Sequence, residues 1–187
     1  PPNPRRGNFI KVTTNIKNYF TNFARKCYKI LTTIIPPSGV RGLMYAILDI
    51  ETTGGQFNEE GITEIAIYKY DGHEIVDQFI SLINPEKPIQ PFVVKLTGIN
   101  NAMLRSAPKF YEVAKRIIEI TEGCILVAHN TSFDYRILRT EFRRLGYDFT
   151  KETLCTVELS KKLLPEQESH SLGKLVKSLG IPITDRH

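Results

Sequence analysis

The sequence predicts an α/β fold, a mixed β-sheet flanked by helices, and three observations predict it. Short β-rich runs alternate with stretches of helical periodicity. Two of the runs, Ile62 to Tyr70 and Glu74 to Ile83, meet at Asp71-Gly72, a dipeptide that favours a tight hairpin. The 187 residues, 41% hydrophobic with 12 Gly and 11 Pro, suit one globular domain, or one domain with a tail. This composition excludes a collagen, a coiled coil and a wholly disordered chain. No run approaches the ~20 apolar residues that span a bilayer.

The ordered elements begin at Met44. Residues 44–50, Met-Tyr-Ala-Ile-Leu-Asp-Ile, read as a short buried strand, and a loop with Gly and acidic residues runs from Thr53 to Gly61. After the hairpin, Pro85, Pro88 and Pro91 predict an irregular connection. Ser106 is placed to cap a helix with Pro108 in its first turn, with Val113, Ala114, Ile117 and Ile118 on the buried face and Gly123 past the end. Cys124 to Ala128 is a wholly apolar strand. Phe133, Ile137, Leu138, Phe142 and Leu145 mark a helix closed by Gly146. Leu154 to Val157 reads as one more strand. Two short helices follow, the second from Ser171 to Leu179 with Gly180 and Pro182 as its stop.

Charge divides the chain in two. The overall balance is +5, but residues 1–43 carry eight Lys or Arg and no acid, while residues 44–187 hold 17 basic and 20 acidic residues. The main part is therefore slightly acidic, and the basic balance belongs to an N-terminal extension. Within the extension Ile16, Tyr19, Phe20, Phe23, Cys27, Ile30, Leu31 and Ile34 recur at helical spacing, largely separated from Lys17, Arg25, Lys26 and Lys29. Three readings stay open: a basic amphipathic helix for a membrane surface or organelle targeting, an arm for nucleic-acid phosphates, or no functional part at all, translation starting near Met44 or the segment being a poorly fixed, disordered extension. Cys27, Cys124 and Cys155 are widely spaced and form no C-x-x-C. They argue against a disulfide framework or a zinc site and for a reducing, cytoplasmic compartment.

Acidic residues then fall at suggestive places. Asp49 and Glu51 end the first strand two residues apart, so both side chains leave the same face and can share a hard cation through oxygen. Alone, such a pair is as well explained by a solvated strand end. Thr52-Thr53-Gly54-Gly55 follows, where glycine lets backbone approach a ligand. His129-Asn130-Thr131-Ser132-Phe133-Asp134 spans a strand-to-helix corner, the kind of place where α/β sheets hold ligands. There Asp134 also suits the helix dipole, and Asn130 or Thr131 can be a cap. The chain closes on Thr184-Asp185-Arg186-His187.

Together, D-x-E-T-T-G on a strand, a hairpin, H-N-x-x-F-D at a strand-to-helix corner and a late D-R-H resemble the DEDDh (DnaQ-like) 3′-5′ exonucleases. This group includes the proofreading epsilon subunit of bacterial DNA polymerase III. The resemblance covers residues 44–187 and implies a ribonuclease H-like sheet. Asp49 and Glu51 match the first motif, Asp134 the second and His187 the histidine of the third; Leu96-Thr97-Gly98-Ile99 resembles the family's L-T-G-I segment at the terminal-nucleotide site. The family carries a fourth acid five positions past its histidine, absent from this sequence. The exonuclease domain is thus expected to be C-terminally truncated, and the chain alone to hold metal poorly and be weak or inactive.

The resemblance implies hydrolysis of phosphodiester bonds at single-stranded DNA 3′ ends, releasing nucleoside 5′-monophosphates in proofreading or repair. It implies two Mg²⁺ or Mn²⁺ ions, with Asp49 bridging both, Glu51 and the fourth acid serving the water-activating ion, and Asp134 the other. His187 would take the proton of the attacking water. Thr52, Thr53 and Gly54 would meet the terminal sugar and phosphate, and Leu96, Thr97, Ile99 and Phe133 would line its apolar surroundings. His129 and Asn130 would orient the scissile phosphate or merely order the corner. The partner implied is a DNA 3′ end, alongside a polymerase or another domain of a longer parent. Two alternatives remain: an RNA 3′-5′ exonuclease like ribonuclease T or oligoribonuclease, and a non-catalytic nucleic-acid-binding or docking module.

Overall fold

A computed structural model describes residues 42–180. The basic extension up to residue 41, with Cys27, lies outside the described residues, as do Pro182 and His187.

Five strands form one sheet: β1 (Met44–Thr52), β2 (Ile62–Tyr70), β3 (Ile75–Leu82), β4 (Cys124–Ala128) and β5 (Thr153–Cys155). Their spatial order is β3-β2-β1-β4-β5. β1 and β2 are antiparallel, as are β2 and β3, whereas β4 runs parallel to both β1 and β5. The sheet is mixed, as the alternation of hairpin and βα units predicts. Six helices accompany it among the described residues: α1 (Pro91–Thr97), α2 (Asn101–Leu104), α3 (Phe110–Thr121), α4 (Thr131–Arg144), α5 (Thr156–Leu163) and α6 (Leu172–Ser178).

The hairpin closes where Asp71-Gly72 predicts. Asp71 Oδ1 accepts from the backbone N–H groups of His73 and Glu74 at 2.7 and 2.8 Å, and Gly72 takes a positive φ of 96°. Alternation along β1 then sorts the core. Ala46, Leu48 and Ile50 pack with Val113 and Ile117 of α3 and Ile137 and Leu138 of α4. Tyr45 and Ile47 face the other way, with Ala66 and Tyr68 of β2 and Leu175 of α6. Phe142 stacks on Phe149 at 4.6 Å and meets Phe110 edge-on at 5.1 Å, tying α4 to α3.

Three boundaries differ from the sequence reading. The proline-rich connection holds a helix, because Pro91 occupies the first position of α1, where a missing N–H costs nothing. Ser106 does not cap α3. Lys109 bridges Asn84 in extended geometry, and the helix begins only at Phe110, where the Glu112 carboxylate accepts the Lys109 N–H at 2.7 Å. The last strand stops at Cys155, because Thr156 turns its hydroxyl onto the Ala128 carbonyl at 3.2 Å and opens α5. Phe133 and Leu145, predicted on the helix's apolar stripe, are exposed. Cys124 and Cys155 are free thiols. Among the described residues no helix is long and apolar enough to cross a membrane.

Candidate active site

β1 is central and runs past its parallel neighbour. Its pairing with β4 ends at Ile47↔Val127, while its pairing with β2 continues to Thr52↔Ile62. The end of β1 therefore has β2 on one side and an opening on the other. α4, which starts three residues after β4, puts its first turn into that opening. Asp134 Oδ1 accepts the backbone N–H of Ile50 at 3.1 Å. Ile50 lies between Asp49 and Glu51, so segments 84 residues apart bring all three acids to one strand end.

Asp49 and Glu51 project to the face of Ile47. A further acid joins them: Glu64 of β2 is the register partner of Glu51 on that face. The electrostatics bind the group together. Burial, with Asp49 and Glu64 nearby, pushes the Glu51 carboxyl up to about 7. Burial and Asp49 push Glu64 up to about 7 as well. Asp134, only 5% exposed, is raised well above the usual carboxylate range by burial, then by Asp49 and more weakly by Glu51, against the pull of the Ile50 hydrogen bond. Tyr68 is raised for the same reasons: burial, then Glu64 and Asp49. Asp49 is thus the neighbour felt by every other member.

Carboxyls with such raised affinity for protons also seek other positive charge, and an oxygen-only donor set suits a hard divalent cation. The fit is one of donor chemistry: among the described residues no three His, Cys, Asp or Glu side chains already close into a metal cage.

The other expected residues separate into two sets. Leu96, on α1, is 65% exposed, and Phe133, next in sequence to Asp134, is 37% exposed, so both offer apolar surface to solvent. Ile99 is instead buried with Ile89, Val93 and Leu104, and Thr97 is buried, its hydroxyl bonded to the Val93 carbonyl. Thr53 is 1% exposed; its hydroxyl accepts the Gly61 N–H and donates to the Gly54 carbonyl, which makes it a loop staple. Thr52 Oγ1 accepts the Gly54 N–H at 3.3 Å. His129 Nδ1 lies 3.0 Å from Thr156 Oγ1, and burial lowers its pKa. Asn130, exposed, adopts the left-handed conformation at the head of α4 (φ 73°) and makes no side-chain cap. The histidine expected to take the proton, His187, lies outside the described residues.

Gly54 is required by its surroundings. Its φ is +68°, and a Cβ there would sit 2.9 Å from Val93 Cγ2 and 3.2 Å from Phe92 Cζ. Gly54→Ala is expected to cost ~1–3 kcal/mol of stability and to push α1 off the loop. Urea denaturation checks it; an unchanged midpoint would show that the loop relaxes freely.

Sequence reasoning missed Glu64, Phe57 and Arg136. Glu64 was readable in principle, since an acid in the otherwise apolar Ile62-Thr63-Glu64-Ile65-Ala66-Ile67 sits opposite Glu51 once the hairpin register is counted. Phe57 and Arg136 carry no local pattern and meet only in the fold, where the guanidinium lies 4.2 Å over the ring.

A family model described as "Exonuclease" matches residues 46–187. A PolC-type DNA polymerase III of Bacillus cereus is 38% identical over 144 residues, 76% of this chain and 10% of that protein. A 3′-5′ exonuclease DinG of Staphylococcus saprophyticus is 35% identical over 144 residues, 76% of this chain and 16% of that protein. The chain therefore spans between a tenth and a sixth of the length of these relatives. A solved structure of exonuclease X in complex with 5′ overhanging duplex DNA superposes with a TM-score of 0.60 at 30% identity, covering 76% of this chain and 79% of that one.

Proposed function

The chain belongs to the exonuclease family, and from that premise we propose that residues 44–187 act as a metal-dependent 3′-5′ exonuclease on single-stranded DNA ends, releasing nucleoside 5′-monophosphates. The reading is supported above all by one hydrogen bond: the Asp134 carboxylate on the Ile50 N–H draws the second acidic motif against the first. Kinship with a DNA polymerase III and a DinG exonuclease favours proofreading or repair as the setting, with a polymerase or a further domain as partner.

The ligands proposed are Asp49, Glu51 and Asp134, and the ions two Mg²⁺ or Mn²⁺. When bound, such a pair supplies Lewis-acid activation of the attacking water and of the leaving oxygen. The chain's own residues do the rest. Asp49 and Glu51 offer oxygens from one strand face, and Asp134 is fixed in direction by its bond to Ile50. Glu64 adds negative charge behind Glu51, which favours a cation over a vacant site. Leu96 and Phe133, both exposed, are the proposed apolar contacts for the strand end, and His187 is the proposed acceptor of the water's proton.

The test is direct. The full-length protein with a 5′-labelled single-stranded DNA and Mg²⁺ should give a ladder of strands shortened from the 3′ end, with nucleoside 5′-monophosphate as product and none in EDTA. A matched RNA strand cleaved faster would move the substrate to RNA. Internal cuts, or tight binding without hydrolysis, would defeat the exonuclease reading.

A further inference from the structure

The loop between β1 and β2 is held to α4 more firmly than a surface loop needs. Arg136 donates to both Glu60 carboxylate oxygens, at 2.8 and 3.2 Å, and to Asn58 Oδ1 at 3.3 Å. Arg144, about two turns further along α4, donates to the Asn58 and Glu60 carbonyls at 2.8 and 3.2 Å. The neck of the loop is closed by the Thr53 N–H on the Gly61 carbonyl at 2.9 Å. The Arg136–Glu60 pair is itself largely buried, its side chains 20% and 9% exposed. The Phe57 ring lies against the guanidinium at 4.2 Å and helps to fix its plane.

A buried ion pair is weak evidence for stability, because both ions must shed water to form it. What this pair supplies is direction. The apolar side of α4, with Ile137, Leu138 and Phe142, packs on the core through contacts that have no preferred angle. A guanidinium donating to both oxygens of one carboxylate fixes distance and plane together. Arg136 stands two positions after Asp134, about 3 Å along the helix axis, and is the loop contact nearest the second motif. Asp134 in turn reaches β1 through the Ile50 N–H. Ile50 and Glu60 belong to one continuous stretch of chain that runs through Glu51. That stretch grips the first turn of α4 at two points, on side chains that leave the helix in different directions. A rotation of α4 that spoils one contact therefore spoils the other.

We infer that Arg136, paired with Glu60, is a positioning residue that sets the rotation of α4 and so aims the Asp134 carboxylate at the end of β1. Arg136 acts through Asp134 and is assigned no contact with metal or substrate. The inference rests on the exonuclease reading for its consequence, which is metal affinity, while its geometric half is measurable without metal.

Two measurements on the full-length protein test it. Hydrogen exchange at the Ile50 amide in EDTA, read by mass spectrometry at residue resolution, follows the bond to Asp134. Mn²⁺ binding without DNA, read by electron paramagnetic resonance, follows the consequence. Arg136→Gln should speed Ile50 exchange at least about 10-fold and weaken Mn²⁺ binding about 10- to 100-fold. Glu60→Gln should act in the same direction, and the double variant should add little to Arg136→Gln alone. Arg136→Lys, which keeps the charge without the fork, should recover part of both losses. Arg144→Gln frees the same loop at the far end of α4, and should lower Tm yet leave both readouts near the wild type. Unchanged Ile50 exchange or Mn²⁺ affinity in Arg136→Gln, losses that simply add in the double variant, or an Arg144→Gln variant as impaired as Arg136→Gln would overturn the positioning role while leaving the exonuclease reading intact. Failure of the wild type to bind Mn²⁺ at all would overturn both.

Discussion

Asp49→Asn in the full-length protein is expected to lower kcat/KM for single-stranded DNA by at least about 10³-fold, roughly 4 kcal/mol of transition-state stabilisation. The same change should raise the Tm of the metal-free protein at neutral pH. Both effects come from one position in the structure. Burial is the main cause that raises Glu51, Glu64 and Asp134, and Asp49 is the one charge that adds to all three, which is the position the proposed bridging ligand would hold. Neutralising it removes repulsion that the fold otherwise carries, and with it an oxygen that a cation pair would share. Circular dichroism during thermal unfolding, paired with the strand-shortening assay, reads both. Retained turnover would remove Asp49 from the bridging role, and a fall in Tm would show that its charge is compensated within the fold.

In EDTA the protein should be more stable at pH 5 than at pH 7.5, and Mg²⁺ should close much of that gap at pH 7.5. Burial, with Asp49 nearby, pushes the Glu51 and Glu64 carboxyls from an ordinary 4.5 up to about 7, and Asp134 is also raised. Between those limits the folded state holds protons that the unfolded chain has lost. Stability therefore falls as pH rises through the window, by a few kcal/mol in all, since the three share their repulsion. For a chain of this size that corresponds to about 5–10 °C in Tm. His129 opposes the trend: burial lowers its pKa from 6.5, so stability is lost as pH falls through that value, but it is one group against these three and Glu141, which burial also raises. Glu60, Asp71 and Asp77, whose pKa values are lowered by their partners, act only in more acidic solution. Calorimetry with and without Mg²⁺ decides; stability that climbs steadily from pH 5 to 7.5 in EDTA would contradict the cluster.

What the sequence showed and what it hid follow from how far apart the relevant residues stand. β1, the hairpin at Asp71-Gly72, β4 and α4 were legible because their signals lie within one element or one turn. The acid pair of β1 was legible from strand alternation, and Asp134 from its place at a strand-to-helix corner. The start of α3 was not, since it is set by a bridge between Asn84 and Lys109, 25 positions apart. Thr53 and Ile99 sit in motif segments yet turn inward, because a tight loop and a short helix need their own fastening before they can present anything. Phe57 and Arg136 escaped because their partnership spans the whole length between the first motif and the second.

The bond from Ile50 to Asp134 joins two duties in one side chain: it closes a backbone gap left where β4 ends, and it supplies a charge. Asparagine has the same outline and keeps an acceptor oxygen for that N–H, but carries no charge. A single transition in the aspartate codon therefore separates the two duties.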